Sequence, residues 1–469
     1  MKKSDCYVNT AVSKRAINTY FSTFRPGIDE IYSLEICRRD ELLVRAAPSP
    51  YSVSDKREVY SLSKSFTSTA IGLLCDDGKL STSDLIVDLF PDKLPEKISE
   101  NLAKMRLSHV LSMNTGHSGC VMNSMYRAED PVRAFLAQDV PYEPGTHFAY
   151  NTGATCLLSC LVQKITGETL VDFLTHRLFL PLGITGVSWN CIAAGENEGG
   201  CGVQISCDDI IKLGMLYISG GVYNGKRILS EQWCRTATSP ISDSSSKESP
   251  DWRSGYGYQF WMNSQGGFRG DGSAGQLCFV RPDLDLVFAV EANVSNMQDE
   301  IDNLCVLAEH LFDDDGTAKA EVILPDYAPL GSAKRLAGFE NVCFRLDENP
   351  MGWTQAYFAY DPSDDAMTLW LSDGVDRYGI RAGNGYYAES TMIAKELKPK
   401  ILGLMLTERR EICRLATSYM AEDGRLTFDV RYLNCPHRRT FTFACDGGEL
   451  TMTFGTADQC TTTIKGRRI

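Results

Sequence analysis

The stretch Tyr60-Ser61-Leu62-Ser63-Lys64-Ser65-Phe66-Thr67-Ser68-Thr69-Ala70-Ile71-Gly72-Leu73-Leu74-Cys75 places a Ser-x-x-Lys pair, Ser61 and Lys64, at the head of an apolar run. Phe66, Ala70, Leu73 and Leu74 fall on one helical stripe, and Asp77-Gly78 supplies a stop. A helix that starts near Ser61 puts Ser61 and Lys64 on one face, one turn apart. The serine hydroxyl then sits at the positive end of the helix dipole, beside an amine that takes its proton. That is a nucleophile arrangement. The pattern is loose, however, and it recurs from Ser244 to Lys247. That second copy lies in a polar, serine-rich loop with no helix behind it, so context separates the two.

Around this stretch the chain reads as alternating helices and strands. An amphipathic helix over 8–25 carries Val12, Ile17, Tyr20 and Phe21 on one side, and two strand-like runs follow, Glu30 to Cys37 and Glu41 to Arg45. Helical segments are expected at Leu107 to Met113, over 130–138, at Ala154 to Thr166, Leu170 to Phe179 and Asp208 to Ile218, and over 298–312. Three strands are expected at Tyr256 to Met262, Gln276 to Arg281 and Leu286 to Ala292. Composition shifts near Asp313, and Pro325 and Pro329 mark a linker. Beyond it the period changes to two, in runs such as Met367 to Leu371, Leu426 to Tyr432, Thr440 to Phe443 and Leu450 to Phe454. About eight short strands with hardly any helix imply a small antiparallel barrel or a sandwich. The expected division is 1–315, a linker over 316–332, and an all-β unit over 333–469, giving an α+β chain.

Its 469 residues are ample for more than one core. A net charge of −13 argues against nucleic acid or an anionic membrane as partner. The N-terminus lacks the continuous apolar segment of a signal peptide, and no run approaches the roughly 20 apolar residues of a membrane span. The 17 cysteines are odd in number and sit mostly in apolar segments, without a Cys-x-x-Cys pair. Reduced, buried thiols in a cytoplasmic protein account for them, and no structural zinc is expected.

Three features at these separations resemble the family of serine β-lactamases and penicillin-binding proteins, especially its class C-like branch of esterases, D-amino peptidases and amide hydrolases. The first is Ser61-Leu-Ser-Lys64 with Phe66-Thr67 behind it. The second is a Tyr-x-Asn element after Pro144-Gly-Thr and before a Leu-Leu helix, which falls on Tyr150-Asn151-Thr152, with Thr152 in the asparagine position. The third is the strand motif usually written Lys-Thr-Gly or His-x-Gly, whose place is filled by Gly270-Asp271-Gly272-Ser273. The resemblance covers roughly residues 10–315 and implies a β-lactamase-like domain, an antiparallel sheet flanked by helices, followed by a lipocalin-like barrel or sandwich.

The resemblance implies a serine hydrolase working through an acyl-enzyme on a small ester, amide or peptide, with no cofactor and no metal. Ser61 would be the nucleophile, and Lys64 and Tyr150 would share the task of taking its proton. The backbone N–H groups of Ser61 and Ser273 would form the oxyanion hole, with Gly272 letting the strand approach. Thr152, Asp271, Gly272 and His117 are candidates for contact with substrate. Each has a plainer alternative: His117 as a structural loop residue, Asp271 as a turn stabiliser, Tyr150 as a core tyrosine. Arg269 either replaces the absent motif cation or lies solvated at the surface. The departures at 152 and 270 remove groups that hold the amide and carboxylate of β-lactams, so antibiotic hydrolysis is not the expected main activity. A catalytically silent relative that binds a ligand or regulates a partner is the competing expectation. The C-terminal unit would lid the cleft, join two chains in a homodimer, or do neither.

Overall fold

Strand Glu30–Arg38 is buried along all but its last residue, because both faces of the sheet to which it belongs are covered. The computed structural model describes residues 5–314, 321–332, 338–395, 410–455 and 461–469. Seven strands form an antiparallel sheet in the order Asp5–Val8, Glu41–Ala47, Glu30–Arg38, Leu286–Asn293, Gln276–Arg281, Phe268–Gly272, Trp261–Met262. Side chains alternate between two cores as the period of two requires. Leu277 and Phe279 face a layer with Ile17, Tyr20, Ile301 and Leu304, whereas Cys278 and Val280 face the larger core with Phe66, Leu74 and Ile210.

The first layer is two helices, Lys14–Ser22 and Met297–His310, capped by Ser13 and Asn296. They are linked by a buried hydrogen bond from the Tyr20 hydroxyl to Glu300, 2.5 Å. The second layer holds Ser63–Asp76, Thr152–Thr166 and Cys207–Ile218. Every residue of Ser63–Asp76 up to Leu74 is buried, so this helix passes through the middle of the domain and is not laid on its surface.

Several boundaries differ from those the pattern implies. The helix expected over 8–25 is confined to Lys14–Ser22, and Asp5–Val8 is an edge strand paired with Glu41–Ala47. Of the strand expected from Tyr256, only Trp261–Met262 is a strand and Tyr256 keeps isolated bridges to Ser242 and Trp261, because Gln259 has a positive φ that breaks extension. Phe268–Gly272 is a strand that alternation does not reveal, since its Arg-Gly-Asp-Gly reads as a turn. The second Ser-x-x-Lys is structural: Ser244 is buried and its hydroxyl accepts from the Gly255 N–H, 3.0 Å.

The C-terminal strands form a closed barrel and not a sandwich. Nine run in the order Arg377–Gly383, Ala366–Ser372, Gln355–Asp361, Val342–Leu346, Thr462–Arg468, Glu449–Gly455, Arg438–Asp446, Arg425–Tyr432, Arg410–Glu422, and Gly383 meets Ser418 to close the ring. Ala388–Lys395 adds a further strand alongside Arg410–Glu422. Inward-facing Phe344, Phe358, Phe428, Phe441 and Phe443 fill the interior.

The described part of the expected linker, 321–332, has no helix or strand and lies against both units. The Tyr327 hydroxyl donates to Ile31 O and accepts from Ile31 N, while Leu330 N donates to Ser418 Oγ. Across the junction, Arg431 reaches Glu30 at 2.8 Å and Arg438 reaches it at 3.3 Å, and within the barrel both arginines also hold Asp429, at 3.1 Å and 2.6 Å. The Arg431 guanidinium lies over the Tyr327 ring, 4.8 Å from its centroid.

Candidate active site

The segment that carries Ser61 begins as a 3-10 turn, Tyr60–Leu62, and the α-helix starts at Ser63. Ser61 therefore sits one turn ahead of the helix, on a bend for which Tyr60 adopts a φ of 46°. The amine of Lys64 is 2.9 Å from Ser61 Oγ and donates to the carbonyl of Gly200 at 2.6 Å. Loop 199–203 is wound around the helix by two further bonds, Thr67 Oγ1 to Gly199 O, 2.7 Å, and Val203 N to Ser63 Oγ, 3.1 Å. Lys64 is 1 % exposed, and burial lowers its pKa to about 8.

Tyr150 meets the same serine, with a hydrogen bond between its hydroxyl and Ser61, and the Lys64 amine lies 5.0 Å from its ring centroid. The ring stacks on Trp261 at 5.5 Å and stands edge-on to Tyr256. Burial pushes the phenol well above its usual value, so it is neutral at neutral pH. Of the two groups beside Ser61, the lysine is the one whose free base is accessible. Tyr150 is positioned by Asn151, whose side chain caps the helix Thr152–Thr166 and also accepts from Val121 N at 3.0 Å.

The third motif runs along Phe268–Gly272 into the turn Ser273-Ala274-Gly275, where Ala274 and Gly275 both have positive φ. Gly272 has no room for a side chain: a Cβ there would stand 2.1 Å from Val59 O and 3.2 Å from Leu62 N. The strand end thus touches the turn that carries Ser61, and Ser273 follows directly. Gly270 faces the same helix, with a Cβ meeting Leu62 Cδ1 at 2.4 Å and Ser65 Oγ at 2.8 Å. The cation of the family motif is absent, and packing leaves no space for one at 270.

Asp271 points away from that helix and accepts from Arg269 Nε at 2.9 Å. Burial raises its pKa and Arg269 pulls it back, while its charge acts on both Lys64 and Tyr150. Arg269 is fully buried, over Trp252 at 4.7 Å, and also bonds Asn263 Oδ1 and the carbonyls of Asp251 and Met262. The alternative of a solvated surface arginine is thereby corrected. Thr152 opens its helix with its methyl against Gly200, beside the carbonyl that holds Lys64. His117 is not brought to the cleft. It is 1 % exposed, bonds Thr115 Oγ1 at 2.8 Å, packs edge-on to Phe135, and is kept neutral by burial that lowers its pKa to about 4.

Glu198 and Cys201 escaped the pattern reading. Cys201 Sγ donates to Glu198 Oε2 at 2.9 Å, and both act electrostatically on Lys64. Glycines flanking them, Gly199-Gly200 and Gly202, are the sequence sign that a backbone passes close to something there.

The profile of the Beta-lactamase family matches residues 33–310, which take in Ser61, Tyr150, Ser273 and the sheet apart from its edge strand Asp5–Val8 and the start of Glu30–Arg38. The chain belongs to the Beta-lactamase family. Among curated relatives, Protein flp of Staphylococcus aureus (strain N315) is 25 % identical over 152 residues, 31 % of this chain and 29 % of that protein. The chain thus spans under a third of that relative's length. The 6-aminohexanoate-dimer hydrolase of Paenarthrobacter ureafaciens is 22 % identical over 273 residues, 54 % of this chain and 70 % of the enzyme. Among solved structures, a family VIII carboxylesterase superposes with a TM-score of 0.52 at 15 % identity, covering 66 % of this chain and 99 % of the esterase, a likeness of fold. Among the described residues no helix is long and apolar enough to cross a membrane.

Proposed function

We propose that this member of the family is a serine hydrolase that acts through an acyl-enzyme on a small ester, amide or peptide. The observation that carries the reading is the Lys64 amine, 2.9 Å from Ser61 Oγ in surroundings that bring its pKa to about 8. An amine poised there accepts the serine proton as Ser61 attacks the carbonyl carbon. Tyr150, neutral and bonded to Ser61, passes a proton to the leaving group and afterwards takes one from the hydrolytic water, and Lys64 returns its proton to Ser61 Oγ as the acyl bond breaks. The oxyanion would lie between the N–H groups of Ser61 and Ser273, each worth about 100- to 1000-fold in rate.

A carboxylate next to the reacting centre finds no motif cation at Gly270, and the Asp271 charge that reaches Lys64 and Tyr150 is of the same sign, so carboxylate-bearing β-lactams are disfavoured. A relative named as a hydrolase of a 6-aminohexanoate dimer supports an amide, and one named as a carboxylesterase supports an ester. Buried thiols such as Cys156, Cys207 and Cys278 agree with a reducing, cytoplasmic setting. The test is labelling by a fluorophosphonate probe and turnover of p-nitrophenyl esters, with Ser61→Ala as control. Absence of any Ser61-dependent signal in either assay would make the chain a silent ligand-binding relative.

A further inference from the structure

The turn between the barrel strands Arg425–Tyr432 and Arg438–Asp446 reaches into the other domain beside the nucleophile. The hydroxyl of Tyr60 and Nε2 of His437 are 2.7 Å apart, joining residues 377 positions apart in the chain. Two residues earlier, Glu58 N donates to the carbonyl of Asn434 at 3.2 Å. Between these two contacts Val59 is held from its own domain, its N–H on Val203 O at 3.1 Å and its carbonyl accepting from Leu62 N at 3.1 Å. Residues 58, 59 and 60 are therefore gripped alternately by the barrel and by the catalytic domain, and Ser61 comes next.

The barrel turn is stiff enough to serve as an anchor. The Asn434 side chain is fixed at both ends, accepting from Arg414 N at 3.0 Å and donating to Ile412 O at 2.7 Å. His437 is 7 % exposed, and its backbone closes on Cys435 O at 2.9 Å and on Tyr432 N at 3.2 Å. What it anchors is a residue in an unfavourable conformation. Tyr60 has a φ of 46°, a region that a side-chain-bearing residue keeps only when its surroundings hold it there. The N–H of Ser61 belongs to the peptide unit joining Tyr60 to Ser61, so the backbone of Tyr60 sets the direction in which that N–H points.

We propose that His437 is a positioning residue supplied by the barrel, which acts through Tyr60 to aim the Ser61 N–H and hydroxyl at the substrate carbonyl. The proposal rests on the reading of Ser61 as nucleophile. It gives the barrel a role in the chemistry of the other domain, with no contact between His437 and substrate required.

The test uses the full-length chain and measures the rate of Ser61 acylation by a fluorophosphonate, with thermal unfolding recorded in parallel. Tyr60→Phe and His437→Ala should each slow acylation by at least about tenfold, as small misplacements of reacting groups do, while KM for a p-nitrophenyl ester changes far less than kcat. The double variant should be no slower than the worse single one, and His437→Gln, whose amide reaches the Nε2 position, should recover most of the rate. Arg414→Ala, which removes the 3.4 Å contact to Asp55 in the same interface, is the control for general loosening and should acylate as the parent does. Single variants within about threefold of the parent, losses that multiply in the double variant, or equal slowing by Arg414→Ala would each overturn the proposal. A parent chain that does not label at all sinks the hydrolase reading and this proposal with it. A parent that labels beside unaffected variants sinks this proposal alone.

Discussion

Lys64 shares its amine between Ser61 Oγ, 2.9 Å, and the carbonyl of Gly200, 2.6 Å, and both partners are acceptors. An ammonium satisfies both at once, whereas the free base holds one proton fewer and keeps a lone pair for the serine proton. The acid limb of kcat/KM should therefore rise with pH through an apparent pKa near the value of about 8 that burial imposes on Lys64. A profile flat between pH 6 and 9 would exclude Lys64 as the base.

Lys64→Met should abolish acylation without loss of stability. Because the folded pKa is about 8 against 10.5 for the unfolded chain, the unfolded state binds more protons between these values, and parent stability rises with pH across that window. Removing the buried charge removes this dependence, so the variant should melt at or above the parent temperature near pH 7, as scanning calorimetry would show.

Gly272→Ala forces a methyl to within 2.1 Å of the Val59 carbonyl, a backbone atom with nowhere to go. The strand end must retreat from the turn that carries Ser61, taking the Ser273 N–H with it. A fall in kcat/KM of at least about 100-fold is expected, the cost of losing one oxyanion donor. Gly270→Lys should fail to create a carboxylate site, because its Cβ meets Leu62 and Ser65 first; no gain in turnover of carboxylate-bearing substrates and a lower melting temperature are expected.

Glu300 is buried beside Tyr20 with no cation paired to it among the described residues, and burial raises its pKa from 4.5 to about 7. The folded state then holds a proton that the unfolded state has released, so stability falls as pH rises from 4.5 to 7. Glu300→Gln keeps an acceptor for the Tyr20 hydroxyl and removes the titration. At pH 8 it should be more stable than the parent by on the order of 1–3 kcal/mol, measured by urea unfolding.

Arg431→Met leaves Glu30 and Asp429 buried with reduced compensation at the domain junction. Breaking such a pair costs about 3–5 kcal/mol, even where the intact pair adds little. The variant should unfold at distinctly lower urea, with Arg438 alone left to serve both carboxylates.

Where one periodic run decides an element, the reading from sequence and the structure agree closely. The helix Thr152–Thr166 follows from its apolar run and its glycine stop, and the strands around Leu286 and Gln276 from β-branched and aromatic density. Closure of the barrel and the register of Phe268–Gly272 depend on partners far along the chain, and Arg-Gly-Asp-Gly carries no apolar alternation to betray a strand. Ser61, Lys64 and Tyr150 could be picked out because each sits in a local motif. Gly200, Glu198 and Cys201 could not, since a backbone carbonyl has no residue signature and their approach to Lys64 is purely tertiary. His117 shows the reverse error, a polar residue in a loop that burial among apolar neighbours has turned inward.

The central strand Glu30–Arg38 pairs on one side with the nearby Glu41–Ala47, but on the other with Leu286–Asn293, and the Ser33–Glu291 hydrogen bond across that second seam spans 258 positions. On a ribosome, the first strands must therefore wait, half-covered, until nearly the whole N-terminal domain has been made. Contacts of such separation slow folding and lengthen the interval in which an apolar edge stands open to other chains. An expression host short of chaperones would be expected to yield aggregated early fragments, and co-expressing the two halves would have to restore a seam down the middle of one sheet.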